Sequence, residues 1–112
     1  AEKALARAGY KCEVGNHRTF LRKKSLIPYT EPHHLIPLQF DDQFEYSLDV
    51  EANIVSLCST CHNKIHYGAS IEGLIRQLWD QRRKELDDAG LLVMKNGTAL
   101  TVEILLSFYG VN

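Results

Sequence analysis

Glu31-Pro32-His33-His34-Leu35-Ile36-Pro37, answered by Asn53-Ile54-Val55-Ser56-Leu57-Cys58-Ser59-Thr60-Cys61-His62-Asn63-Lys64-Ile65-His66, is the pair of segments from which the rest of this 112-residue chain can be read. Two adjacent histidines are followed by Asn53, and then by a Cys-x-x-Cys that runs directly into His-x-x-x-His. All 5 histidines and all 3 cysteines lie between Cys12 and His66. Thiolates and imidazoles are the usual ligands of borderline metals, and their confinement to one part of the chain points to metal chemistry rather than core packing.

Working outward, Tyr29 to Leu35 is rich in β-forming and aromatic residues and is expected to be a strand, which would turn His33 and His34 to opposite sides. Ile54-Val55-Ser56-Leu57 is the second strand. Ser59 or Thr60 then caps a helix that runs to about Tyr67 and stops at Gly68, with His62 and His66 on one face. The expected local architecture is two strands and a helix with metal at their junction. Between the strands, residues 37–51 form an acidic loop containing Asp41, Asp42, Glu45, Asp49 and Glu51, packed by its own aromatics Phe40, Phe44 and Tyr46.

Before this core, residues 1–9 have the composition of a short helix ended by Gly9. Tyr10 to Phe20 is turn-rich, and Lys11, Arg18, Arg22, Lys23 and Lys24 form a basic patch with Arg22-Lys23-Lys24-Ser25 at the tip of a hairpin connection. After the core, Ser70 is the expected N-cap of a longer helix. Its Ile71, Leu74, Ile75, Leu78, Trp79 and Leu86 make an apolar stripe that ends at Ala89-Gly90. Trp79 falls within that stripe and is expected in the core. Leu91 to Met94 could be a short strand, Lys95-Asn96-Gly97 a turn, and Thr101 to Tyr109 a last helix.

The length fits one domain, and 45% apolar residues with a net charge of −1 place the chain among ordinary globular proteins. No apolar run approaches the length of a membrane helix, and the first residues lack the apolar core of a signal peptide, so the expected compartment is the cytoplasm. An odd number of cysteines beside histidines argues against a disulfide framework. A redox dithiol would need a βαβ context that is missing here. The chain enters a helical pattern directly at Ala1, which suggests a module of a longer protein.

Eight candidate ligands are too many for one ion. Cys12 with His17 and Cys58 with Cys61 make two facing clasps, the arrangement of a tetrahedral structural zinc knuckle. The remaining histidines, 33, 34, 62 and 66, form a second cluster without thiolates, which suits an open, exchangeable divalent site. One of the adjacent pair can bind metal while the other faces substrate as a neutral base, the combination that hydrolysis of a phosphodiester needs.

These motifs, across about residues 10–68, resemble the HNH endonucleases of the ββα-metal fold, in particular the zinc-containing HNH domains of bacterial restriction enzymes. The resemblance implies an α+β fold: a ββα-metal core with a zinc knuckle, and helices over 69–112 as a C-terminal extension of one domain spanning 1–112. It implies that His34 is the general base, that His33 and His62 hold the catalytic divalent ion (Mg²⁺ or another cation), that His66 either joins them as a ligand or touches the scissile phosphate, and that Asn53 holds the loop and orients the base. Zn²⁺ in the knuckle completes the set. The implied partners are DNA, a covalently linked recognition domain and, for cutting both strands, a second copy of the chain. Many relatives have Cys-x-x-Cys in the first clasp, where this chain has Gly15, so His17 must serve as fourth ligand. A different class of function, a noncatalytic zinc-binding module that docks nucleic acid or protein, stands beside the nuclease. A protein that held DNA tightly by itself would be expected to be basic, so base specificity is expected in another domain.

Overall fold

The computed structural model describes residues 1–111. Two short antiparallel strands, β1 (Glu31–His34) and β2 (Ile54–Leu57), pair in a register that sets Glu31 opposite Leu57, His33 opposite Val55 and His34 opposite Ile54. Strand β1 is shorter than the sequence suggests. Tyr29 instead belongs to a preceding hairpin, where its amide donates to the Phe20 carbonyl and Leu21 bridges Pro28. Arg22–Ser25 lies at the tip of that hairpin, as expected, and Leu26 turns the chain with a positive φ of 59°.

Every position of β2 is buried, because helices cover both of its faces. Helix α1 (Glu2–Arg7) contributes Ala4 and Leu5 to one side. Helix α2 (Ser59–Tyr67) follows β2 at once, and its cap is Cys58 rather than Ser59 or Thr60: the Cys58 sulfur accepts from the Cys61 amide at 3.4 Å. The thiol therefore does what a hydroxyl would do at an ordinary helix start. Gly68 ends α2 as expected, though not in a left-handed conformation, since its φ is −74°. A glycine is needed because a Cβ there would lie 2.5 Å from the Lys64 carbonyl oxygen.

Helix α3 (Glu72–Asp88) buries Leu74, Ile75, Leu78, Trp79 and Leu86 as one stripe, so Trp79 is core. Its N-cap position is Ile71 rather than Ser70, and no side chain caps it. Arg82 on the same stripe is buried and charged. It forks onto Glu13 at 2.9 Å and donates to the carbonyls of Glu51, Ala52 and Ile54. Glu13 in turn accepts the Ser56 amide, so this ion pair fastens the Cys12 loop to β2. Pairing and hydrogen bonding on all sides is what allows a buried Arg–Glu pair, since stranding one partner would cost about 3–5 kcal/mol.

The segment 91–94 is a single bridge, Val93 to Ala99, rather than a strand. The chain then enters α4 (Val102–Phe108), capped by Thr101 accepting from Ile104. The acidic segment between the strands is partly helical, with 3₁₀ turns at Leu38–Gln43 and Glu51–Asn53. Phe40 of the first turn stacks on Phe108 at 3.9 Å between centroids, which draws α4 against the start of that segment. Among the described residues, no helix is long and apolar enough to cross a membrane.

Candidate metal centres and active site

The first clasp and the second meet as the sequence suggests. Ligand atoms of Cys12, His17, Cys58 and Cys61 all lie within 4.8 Å of one another. His17 Nδ1 is 3.6 Å from the Cys58 sulfur and 3.3 Å from that of Cys61. A tetrahedral zinc with bonds of about 2.0–2.3 Å has ligand–ligand edges of about 3.6 Å, so this Cys₃His set is compatible with zinc. Gly15 lies close against the imidazole, where a Cβ would sit 3.2 Å from His17 Nε2.

The thiols differ in acidity. Burial pushes Cys12 up, but hydrogen bonds from the Cys58 and Val14 backbone and the His17 and Cys58 side chains outweigh it and bring the thiol down to about 7. Burial, reinforced by hydrogen bonding and charge within the thiol cluster, pushes Cys61 up to about 12. A divalent cation would favour the thiolate at all three. Because both the imidazole and the thiols must shed protons to coordinate, zinc affinity should fall as pH falls. His17→Ala should weaken zinc binding and flatten part of that pH dependence, measured by competition with a chromogenic chelator. Unchanged affinity would remove His17 from the site.

The second cluster divides as strand alternation requires. His33 turns inward, only 6% exposed, while His34 turns out toward the acidic loop, where its Nε2 lies 2.9 Å from Asp49 Oδ1. His33 joins His62 and His66, with one ligand atom of each within 4.8 Å of the others. His62 and His66, one turn apart on α2, bring their Nε2 atoms to 3.1 Å. Two imidazole nitrogens that share one ion at about 2.1 Å and a right angle lie about 3 Å apart, so these residues fit a divalent cation. Burial first, then the imidazoles of His62, His66 and His34, holds His33 down to about 3, so it is neutral near pH 7 and has a lone pair to give. His66 is lowered by the same causes, burial and His62.

Two supporting residues carry no role in the sequence reading. Glu31 Oε1 lies 2.8 Å from His62 Nδ1. A carboxylate only accepts, so His62 donates from Nδ1 and keeps the Nε2 lone pair for the cluster. The His62 hydrogen bond, aided by that from Tyr29, holds the Glu31 carboxyl below its usual range. Strand alternation holds the signal that could have revealed it, because Glu31 and His33 are two apart and share a face of β1. The other is Asp49, lowered by its hydrogen bond to His34. Nothing in the local pattern separates Asp49 from its acidic neighbours.

Asn53 is completely buried and touches no open surface. Its side chain accepts the Ile36 amide and donates to the Ile36 and Leu48 carbonyls, and its own carbonyl accepts the Leu35 amide. It ties both ends of the intervening segment to β2 and fixes the chain just beyond His34. The cluster opens onto a cleft of about 440 Å³ whose walls include His33, His34, His62, His66 and Tyr109.

Residues 17–68 match the family model described as HNH endonuclease. Over 52 residues the chain is 38% identical to the type IV methyl-directed restriction enzyme EcoKMcrA of Escherichia coli (strain K12). That alignment covers 46% of this chain and 17% of the relative, so the chain spans under a fifth of the protein it matches. The matched segment contains both strands, α2, and every member of the two metal clusters except Cys12.

Proposed function

We propose that this chain, whose residues 17–68 match the HNH endonuclease family, is the cleavage domain of a restriction enzyme and hydrolyses phosphodiester bonds in DNA with a divalent ion held by His33, His62 and His66. The observation that carries the reading is the division of one adjacent pair: His33 joins the imidazole cluster and His34 stands on the same cleft, bound to Asp49. Zinc would occupy the Cys12, His17, Cys58, Cys61 knuckle as a structural ion. The single domain spans 1–112 and functions beside a covalently linked recognition domain, as the length of the restriction relative suggests.

His34 is the general base. Asp49 accepts the Nε2 proton of His34, which leaves Nδ1 to take a proton from water at the cleft. Asn53 fixes the backbone behind that imidazole, and Glu31 keeps His62 turned toward the cluster. A bound divalent ion, Mg²⁺ or another, would supply positive charge for the phosphate oxygens and the leaving group. His33 is already neutral and dehydrated by burial, so it gives up little solvation on coordination.

Charge is segregated along the chain despite its near-zero sum. Residues 14–30 carry Arg18, Arg22, Lys23 and Lys24 with no acid, whereas 37–51 carry five acids and no Lys or Arg. The basic hairpin is the face for the phosphate backbone. Its Tyr29 also donates to Glu31 at 2.8 Å, which links it to His62.

The test is supercoiled plasmid incubated with the full chain in Mg²⁺, Mn²⁺, Ni²⁺ or EDTA. Nicking that requires a divalent ion is expected, with a salt dependence of binding that flattens by about one in slope for each of Lys23 and Lys24 removed. Binding without cleavage under every ion would transfer the chain to the noncatalytic module class.

A further inference from the structure

Tyr109 lies at the C-terminal end of α4, far outside the matched segment 17–68, and lines the same cleft as His33, His62 and His66. Its hydroxyl is 2.8 Å from His33 Nε2, makes a short hydrogen bond to the Leu35 carbonyl, and lies 3.5 Å from the His34 carbonyl. A hydroxyl has one proton to donate, and carbonyl oxygens only accept. The Leu35 carbonyl therefore takes the tyrosine proton, because otherwise two oxygens would face each other at close range with no hydrogen between them. The contact with His33 then runs the other way: His33 donates from Nε2–H, and the tyrosine oxygen accepts.

We propose that Tyr109 is a positioning residue for His33, fixing it as the Nε2–H tautomer so that Nδ1 is the atom offered to a divalent cation. The inference rests on the reading of His33, His62 and His66 as the metal site. Metal-binding histidines commonly donate their second ring N–H to a fixed acceptor, which sets ring orientation and raises ligand basicity. Glu31 does this for His62 from within the strand, and Tyr109 does it for His33 from the extension. The acceptor is itself held in place, since Phe108, the neighbouring residue, stacks on Phe40 and Tyr109 is tied to the backbone of residues 34–35. The end of α4, beyond residue 68, thus reaches the centre.

The experiment uses the full chain with zinc in its knuckle, wild type and Tyr109→Phe, titrated with Mn²⁺ by calorimetry. Long-range ¹H–¹⁵N spectra of the imidazoles are recorded on wild type before any Mn²⁺ is added. The Nε2–H tautomer at His33 is expected in wild type, and a roughly 10–100-fold loss of Mn²⁺ affinity in Tyr109→Phe, which stays folded but melts a few degrees lower because the Leu35 carbonyl loses its donor. A His33 protonated at Nδ1 in wild type overturns the proposal, and that measurement does not depend on the variant folding. Unchanged or tighter Mn²⁺ binding in Tyr109→Phe also overturns it, the latter by showing that the hydroxyl competes for the metal-binding nitrogen. Wild type that binds no second ion would instead defeat the metal-site reading, with the tautomer still deciding whether Tyr109 orients His33.

Discussion

Cys61→Ser is expected to unfold or aggregate the domain rather than merely weaken it. The four knuckle ligands come from three separate places: the loop after α1, the end of β2 and the first turn of α2. The first of these is otherwise fastened to β2 and α3, through the Glu13 bonds to Ser56 and Arg82 and the Gln77 bond to the Val14 carbonyl, rather than to α2. Structural zinc contributes an apparent 10–16 kcal/mol in small domains, about as much as the whole net stability of a typical one. Cys58 has a second duty as the cap of α2, so the metal and the helix start fail together. His62 follows Cys61 directly, and loosening that turn would also displace the cluster of His33, His62 and His66. Metal analysis of the wild type should return about one tightly held zinc per chain, consistent with a tetrahedral site. A Cys61→Ser protein with an intact circular dichroism spectrum and unaltered melting temperature after chelation would refute the knuckle.

The parts of the fold that were legible in the sequence are those where a ligand or a period dictates geometry. Cys12, His17, Cys58 and Cys61 could be paired because the clasps are short loops that leave a metal few arrangements. The stripe from Leu74 to Leu86 has one solution as a helix. His33 and His34 could be separated because a strand alternates, whatever its length. The errors are of another kind. Cys58 takes the cap from Ser59 because the knuckle already points its sulfur at the Cys61 amide, and cap preferences describe free side chains. Leu91 to Met94 lacks a partner long enough to make a strand of it. Tyr109 falls at the end of the last expected helix, but the destination of its hydroxyl depends on how α4 docks. That docking is set by contacts such as Phe40 with Phe108, 68 positions apart, which no local pattern encodes.

His34→Ala and His62→Ala should both abolish plasmid cleavage, but for different reasons that metal dependence separates. His34 stands outside the imidazole cluster, with Asp49 on its Nε2. Its loss removes the proton acceptor and leaves the ion's ligands in place, so Mn²⁺ affinity and melting temperature should stay at wild-type values. The rate should fall about 10²–10⁴-fold, the usual worth of a general base. Raising the metal concentration should restore none of it. His62, by contrast, is held by Glu31 with its Nε2 at 3.1 Å from that of His66, so His62→Ala takes away one ligand of three. Its activity should recover in part as Mn²⁺ is raised, because the remaining imidazoles can still bind the ion, more weakly. Neither change touches a knuckle ligand, so zinc content should be unaffected in both. The loss of Asp49, by Asp49→Asn, should cost less than that of His34, since an exposed carboxylate orients the base without supplying the lone pair. Cleavage by His34→Ala at the wild-type rate under matched Mg²⁺ would show that the base lies elsewhere, and equal metal dependence in the two variants would show that the adjacent histidines do not divide the chemistry between them.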